Sequence, residues 1–243
     1  MITVKKQKLK GIVIKQETYK EDSSKITLFT EDGLYNFIAK GTKKIESKLR
    51  SLCQILTEVE LITTDDRIIN TITEGVVIEN YTVIKEDMNK LLVTLSILEY
   101  LYSFKDAITN MKTIYSFLKD ILKILSSTNY PKSLLSLFEL KFLYAIGSYP
   151  EFVNCVKCNS NLGEFFSVKN GGNLCKECYE MNCCNKELSK LLELIFYIKV
   201  NNVNDEFLEL INDYVQDVNE VINEYYETYY DYHNKNKKMI DKI

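Results

Sequence analysis

A chain of 243 residues, 46% of them apolar, is long enough to bury one large core or two modest ones. No apolar stretch is long enough to cross a bilayer, since the best candidate, Leu91 to Phe104, is short and carries Glu99. The net charge of −3 hides a segregation: residues 1–50 hold eleven lysines and Arg50 against six acids, while the remainder is acidic, a balance that fits a polyanion-binding N-terminal module or a solvated lysine-rich face.

Met1 leads into Ile2-Thr3-Val4-Lys5-Lys6 without the apolar core or cleavage site of a secretory signal, so a reducing cytoplasm is the expected setting. From Leu9 to Glu79, β-branched and aromatic runs alternate with polar turns, which predicts a small all-β unit. Its strands are expected at Leu9–Tyr19, Lys25–Thr30, Leu34–Lys40, Ser51–Thr63 and Arg67–Glu79, with Asp32-Gly33 closing a hairpin and Thr42–Arg50 as a loop or short helix. Five strands within residues 1–80 have the size of an OB-type barrel.

After Tyr81 the apolar period lengthens to the helical one. Leu91, Leu95, Leu98 and Tyr102 form one stripe and Ile114, Leu118, Ile121 and Leu125 a second. Pro131 opens a third, nearly all-apolar helix that runs to Ile146 and is capped by Gly147; its apolar circumference predicts a central, buried position. Beyond a cysteine-bearing segment at about 150–185, Glu187–Val200 and the series Phe207, Ile211, Tyr214, Val218, Ile222, Tyr225 continue the helical period. The tail Lys235-Asn236-Lys237-Lys238 is expected to fray. The predicted fold is α+β: a five-stranded OB-fold barrel, then an α-helical bundle over residues 81–243 with an inserted four-cysteine zinc finger.

Cys155, Cys158, Cys175 and Cys178 form a C-x2-C-x16-C-x2-C array, a spacing that brings four thiolates to about 2.3 Å from one tetrahedral Zn²⁺. An all-thiolate site has no open position, so the expected zinc is structural. Disulfides are the alternative; they fit neither the absent secretory signal nor seven cysteines, an odd number. A redox pair would need a C-x2-C after a strand of a βαβ unit, and a zinc deaminase would need an H-x-E, whereas the single histidine is His233. Cys183 and Cys184 read as spare thiols and Cys53 as a core residue.

Nothing in the chain supplies a phosphate loop, a dinucleotide fingerprint, an H-E-x-x-H pair or a Ser-His pair, so no enzymatic activity and no small-molecule substrate are expected. The barrel does carry the parts of a sequence-independent nucleic-acid surface, cations along a groove and rings for stacking. Lys40, Lys43, Lys44, Lys48 and Arg50 cluster after the third strand, and Lys15, Lys20 and Lys25 lie in the first hairpin. Tyr35 and Phe37 are the candidate stacking rings; they share a strand face with Ala39, and that face is either the core or the binding side.

Gly11-Ile12-Val13-Ile14, Tyr19, Glu21-Asp22, Ile26-Thr27-Leu28-Phe29-Thr30 and Gly33 look like the first hairpin of the bacterial RecO recombination-mediator family. Ala39-Lys40-Gly41 with Ser47-Lys48-Leu49-Arg50 is similar to its basic barrel signature, and Phe138-Glu139-Leu140-Lys141, Gly147, Pro150 and Cys155-Val156-Lys157-Cys158 to its helix leading into the zinc finger. The resemblance covers almost the whole chain. It implies a non-enzymatic protein of DNA repair and homologous recombination at the bacterial nucleoid. Such a protein binds single- and double-stranded DNA, anneals complementary strands and, with RecR, helps load RecA onto strands coated by single-stranded-DNA-binding protein, whose acidic C-terminal tail it also binds. A zinc-ribbon protein adaptor and an RNA-binding barrel are the rival readings.

Overall fold

The computed structural model describes residues 5–44, 46–65 and 70–240. The first strand, β1 (Lys5–Tyr19), is long enough to serve two neighbours: its first half pairs with β4 (Glu58–Asp65) and its second with β2 (Ser23–Thr30), both antiparallel. The register shifts between Val13 and Lys15, so a bulge turns the strand from one neighbour to the other. Gly11 lies just before that bend, where any Cβ would collide with the carbonyl oxygen of Phe29.

A tight turn joins β2 to β3 (Gly33–Ala39); Thr30 Oγ1 accepts from the amides of Asp32 and Gly33 at 3.2 Å each, and Gly33 takes a φ of 147°. With β5 (Thr71–Glu79), the strands close into a barrel in the order β1-β2-β3-β5-β4, the seam between β3 and β5 being one parallel bridge, Ile38 to Thr71. Val13, Ile26, Leu28, Phe37, Ala39, Val59, Leu61 and Ile72 fill it.

Ser51–Thr63, expected as one strand, is instead a short helix, α1 (Leu49–Leu52), a turn, and β4 from Glu58. Leu52 and Cys53 are buried in the barrel core and Leu56 adopts a left-handed φ of 57°. α1 packs on β5, where a Cβ added at Gly75 would come within 3.1 Å of Leu52 Cδ1. The expected start of the fifth strand at Arg67 lies outside the described residues.

Ile12, Ile14, Phe29 and Leu56 belong to the same apolar cluster as the helices, so barrel and helices share a core. The helices are α2 (Thr82–Glu86), α3 (Met88–Ser103), α4 (Met111–Ser127) and α5 (Pro131–Ala145). Asp87 caps α3 through the amides of Asn89 and Lys90, and Asn110 caps α4 through that of Thr113. As expected, α5 is central: Leu134, Leu137, Phe138, Phe142 and Leu143 are fully buried. It ends in a Schellman motif, with Ser148 N donating to Leu143 O at 2.9 Å and Gly147 at φ 80°.

A two-stranded hairpin, β6 (Phe165–Ser167) and β7 (Gly172–Leu174), precedes α6 (Lys186–Tyr197), α7 (Asp205–Asn212) and α8 (Val215–Tyr230). All three later helices pack on α5. The tail does not fray. It ends in α9 (Lys237–Ile240), where Lys237 and Ile240 are buried, because Lys237 finds a buried carboxylate that sequence spacing does not reveal. Among the described residues no helix is long and apolar enough to cross a membrane.

Candidate functional site

The four cysteines of the array converge as their spacing predicts. In the first turn the Cys155 amide donates to Ser160 O at 2.8 Å and the Asn159 amide to Cys155 O at 2.8 Å, with Asn159 left-handed at φ 58°. The second turn is a 3-10 segment, Lys176–Cys178, in which Cys178 N donates to Cys175 O. All four Sγ atoms lie within 4.8 Å of one another, and Cys158 and Cys175 are 3.6 Å apart. A tetrahedron with bonds of about 2.3 Å has edges of about 3.8 Å, so these cysteines are placed to hold one metal ion.

The four thiols differ in their environments. Burial pushes the Cys155 thiol up, but the amides of Cys158, Cys175 and Lys157 outweigh it and hold it at about 6. Cys178 is pushed up to about 12 by hydrogen bonding to the neighbouring Cys175 and Cys158, then by burial. Four thiolates so close repel one another, and a divalent ion removes that repulsion. Cys183 packs partly buried against this cluster, burial drives the Cys184 thiol up to about 12, and Cys53 lies in the barrel core. The foot of the module belongs to the helical core: Phe152 stacks on Phe166 at 5.0 Å and meets Phe196 at 5.3 Å, and Phe166 N donates to Ser189 Oγ at 2.7 Å.

The barrel presents a second cluster. Gly41, at φ 69°, reverses the chain after β3, and the buried Thr42 hydroxyl bonds Ser24 Oγ at 2.8 Å, pinning the loop from inside. Lys40, Lys43, Lys44, Lys48 and Arg50 consequently point outward, joined by Lys25 and Lys20 from the adjoining hairpin; all seven are exposed. None of the seven is in an ion pair among the described residues. On β1, by contrast, Lys6, Lys8 and Lys10 are matched by Glu74, Glu60 and Glu58 of β5 and β4.

Three expected contacts do not belong to that surface as free groups. Lys15 is half-buried; it pairs with Glu17 at 3.0 Å and sits 4.2 Å over the Tyr102 ring of α3. Phe37 is 1% exposed and fills the barrel, so it offers no face to a base. Tyr35 stacks on Phe37 at 6.4 Å and packs partly buried on the same core. The face shared with Ala39 is therefore the inside.

Sequence reasoning missed a groove of about 1020 Å³ between α4, α5 and the end of α6. Its rim carries the exposed rings of Tyr144, Tyr149 and Tyr197, and Lys141 and Lys112 supply its cations. Lys141 donates to Phe196 O at 2.8 Å and has no acidic partner among the described residues; burial lowers its pKa to about 8. The signal was there to read: Lys141 is the one cation between Leu134 and Ile146 in a mostly apolar helix.

The family model for the N-terminal part of recombination protein O matches residues 1–81, the barrel, and that for its C-terminal part matches residues 85–238. The chain belongs to the RecO family. It is 26% identical to the DNA repair protein RecO of Listeria monocytogenes serotype 4b over 98% of this chain and 94% of that one. It is 27% identical to the protein of the same name from Bacillus subtilis, over 97% and 94%. Membership of the RecO family and these names support a role in DNA repair.

Proposed function

We propose that the chain is a non-catalytic recombination mediator that binds single- and double-stranded DNA and anneals complementary strands. With RecR, it would help load RecA onto strands coated by single-stranded-DNA-binding protein. The observation that carries this reading is the cluster of seven exposed barrel cations in no ion pair among the described residues, on a chain of the RecO family. Such cations displace counterions and lower the repulsion between two strands, while backbone contacts that ignore sequence let the strands search for register. Lys40, Lys43, Lys44, Lys48, Arg50, Lys20 and Lys25 are the proposed DNA contacts, within a barrel of residues 1–80.

The metal is proposed to be zinc, held by Cys155, Cys158, Cys175 and Cys178 within a module at about 150–185 of the helical part, residues 81–243. Bound there, it would cross-link two turns of the chain and supply no reaction chemistry. The groove beside Lys141 supports docking of the acidic, aromatic-ended tail of the single-strand-binding protein: an unpaired cation meets the acid and exposed tyrosines meet the ring. The proposed location is the bacterial cytoplasm, at the nucleoid.

Annealing of complementary fluorescent oligonucleotides, bare and coated with the single-strand-binding protein, tests the proposal across a salt series. Salt-sensitive acceleration on both substrates is expected. No acceleration on either would leave a zinc-ribbon adaptor, and a preference for RNA strands would point to recognition of 2′-hydroxyls.

A further inference from the structure

Glu139 lies on α5, against which α3, α4, α6, α7 and α8 all pack, and its side chain is 0% exposed. A carboxylate in such a place stays charged only if a cation and donors meet it. Tyr100, on α3, donates its hydroxyl to one oxygen at 2.9 Å, and the other receives the ammonium of Lys237 at 2.7 Å. Lys237 is itself 5% exposed and is the sole ion-pair partner of Glu139 among the described residues. The central helix of the body is thus neutralised from the far end of the chain.

The segment that delivers Lys237 is held by polar contacts together with two apolar anchors, Tyr232 and the buried Ile240. After α8, Asp231 turns left-handed at φ 48°, and Tyr232 enters the aromatic cluster 4.9 Å from Phe104 and 5.3 Å from Tyr100. Asn234 donates to the Ser96 carbonyl at 2.9 Å and accepts from the Lys237 amide at 3.0 Å, capping α9. The amides of Lys235 and Asn236 donate to Glu99 at 3.0 and 3.1 Å, and Lys132 donates to Ile240 O at 3.2 Å. Apart from the bond to Glu139, these side-chain and amide contacts of residues 234–240 fall on α3 and the start of α5. A four-residue helix has no stability of its own, so α9 depends on these contacts.

We propose that Tyr232–Ile240 is a clasp, whose Lys237 neutralises Glu139 and thereby sets the packing of α5. Two features depend on that packing. α5 carries Lys141 and Tyr144 of the groove, and its C-terminal extension bonds Ser148 to Tyr225 of α8 at 3.0 Å. On the same helix Tyr226 donates to the Glu139 carbonyl and Tyr229 to Val168 O of the cysteine module, both at 2.9 Å. Lifting the clasp leaves an unneutralised carboxylate inside the α3–α5–α8 packing, and α5 and α8 relax to let water reach it. The clasp therefore couples the chain's end to the groove and to the module, and it does not rest on the DNA-binding proposal.

Hydrogen exchange on the full chain tests it with three variants, Lys237→Met, Lys237→Arg and Lys237→Met combined with Glu139→Gln. Lys237→Met should speed exchange at least tenfold in α5 and in the β6–β7 hairpin while leaving β1–β3 unchanged. Lys237→Arg should keep most protection, and the double variant should regain it, because the orphaned charge is gone. If Lys237→Met does not fold, folding of the double variant carries the same conclusion. Exchange unchanged in Lys237→Met, or faster only within residues 232–240, would overturn the proposal, as would a double variant no better protected or folded than the single one.

Discussion

Tyr115 of α4 donates its hydroxyl to the carboxylate of Glu58, the first residue of β4, at 3.3 Å. Glu58 is 3% exposed, and the same oxygen draws Lys119 of α4 at 3.1 Å and Lys10 of β1 at 3.3 Å. One carboxylate thus ties two barrel strands to a helix of the body, and the edge contact of Phe29 with the Tyr115 ring at 5.6 Å lies beside it.

Replacing Glu58 by Ala should lower stability by about 1–3 kcal/mol, because the buried Tyr115 hydroxyl loses its acceptor. The lysines contribute little to that loss, since both are half solvated and hydrate once released. A denaturant titration measures it through a lower midpoint. An unchanged midpoint would mean that apolar burial alone joins the two parts.

Lys40→Glu with Lys44→Glu should weaken single-strand binding and leave the melting temperature nearly unchanged, because both side chains are exposed and form no ion pair among the described residues. Each phosphate contact contributes about 0.7 to the salt slope on single strands. Losing two should therefore flatten that slope by about 1.4 in a fluorescence anisotropy titration. Phe37→Leu should act the other way round, lowering the melting temperature through lost barrel packing and sparing the slope.

Cys155→Ser with Cys158→Ser should abolish zinc binding, read by a chromophoric chelator, and lower the melting temperature. Helix content should survive, because Phe152 and Phe166 hold the module's foot in the helical core without any metal. DNA binding through the barrel should also persist; its complete loss would contradict independent sites.

Lys141 gives the groove a pH signature. Its folded pKa of about 8 lies below the ordinary lysine value of 10.5, so between those two pH values the unfolded chain binds more protons and stability should rise with pH. Affinity for an acidic, aromatic-ended peptide should move oppositely, falling as pH rises through about 8 while the ammonium discharges. Lys141→Met should remove that pH dependence, as read by calorimetry with the peptide.

Alternation and period by themselves determined that a strand-rich unit precedes a helical one in this chain, because a strand's twofold repeat and a helix's 3.6-residue repeat are local properties. The cysteine spacing likewise determined the thiolate cluster, since two C-x2-C turns need only a hairpin between them to converge. Pro131 and Gly147 bounded the central helix through backbone preferences that neighbours do not change.

Tertiary structure decided what depends on facing and on distance. Phe37 could not be assigned to the inside from its own strand, because both faces of Leu34–Lys40 carry apolar residues and only the curvature of the closed barrel selects one. Lys15 left the cationic surface because α3 brought Tyr102 beneath it, and residues 51–57 left the extended strand to bury Leu52, Cys53 and Leu56. Lys237 carried no signal at all. Its partner lies 98 residues earlier on the face of another helix, and a buried ion pair is recorded in the sequence as two ordinary charges until the fold removes the water between them.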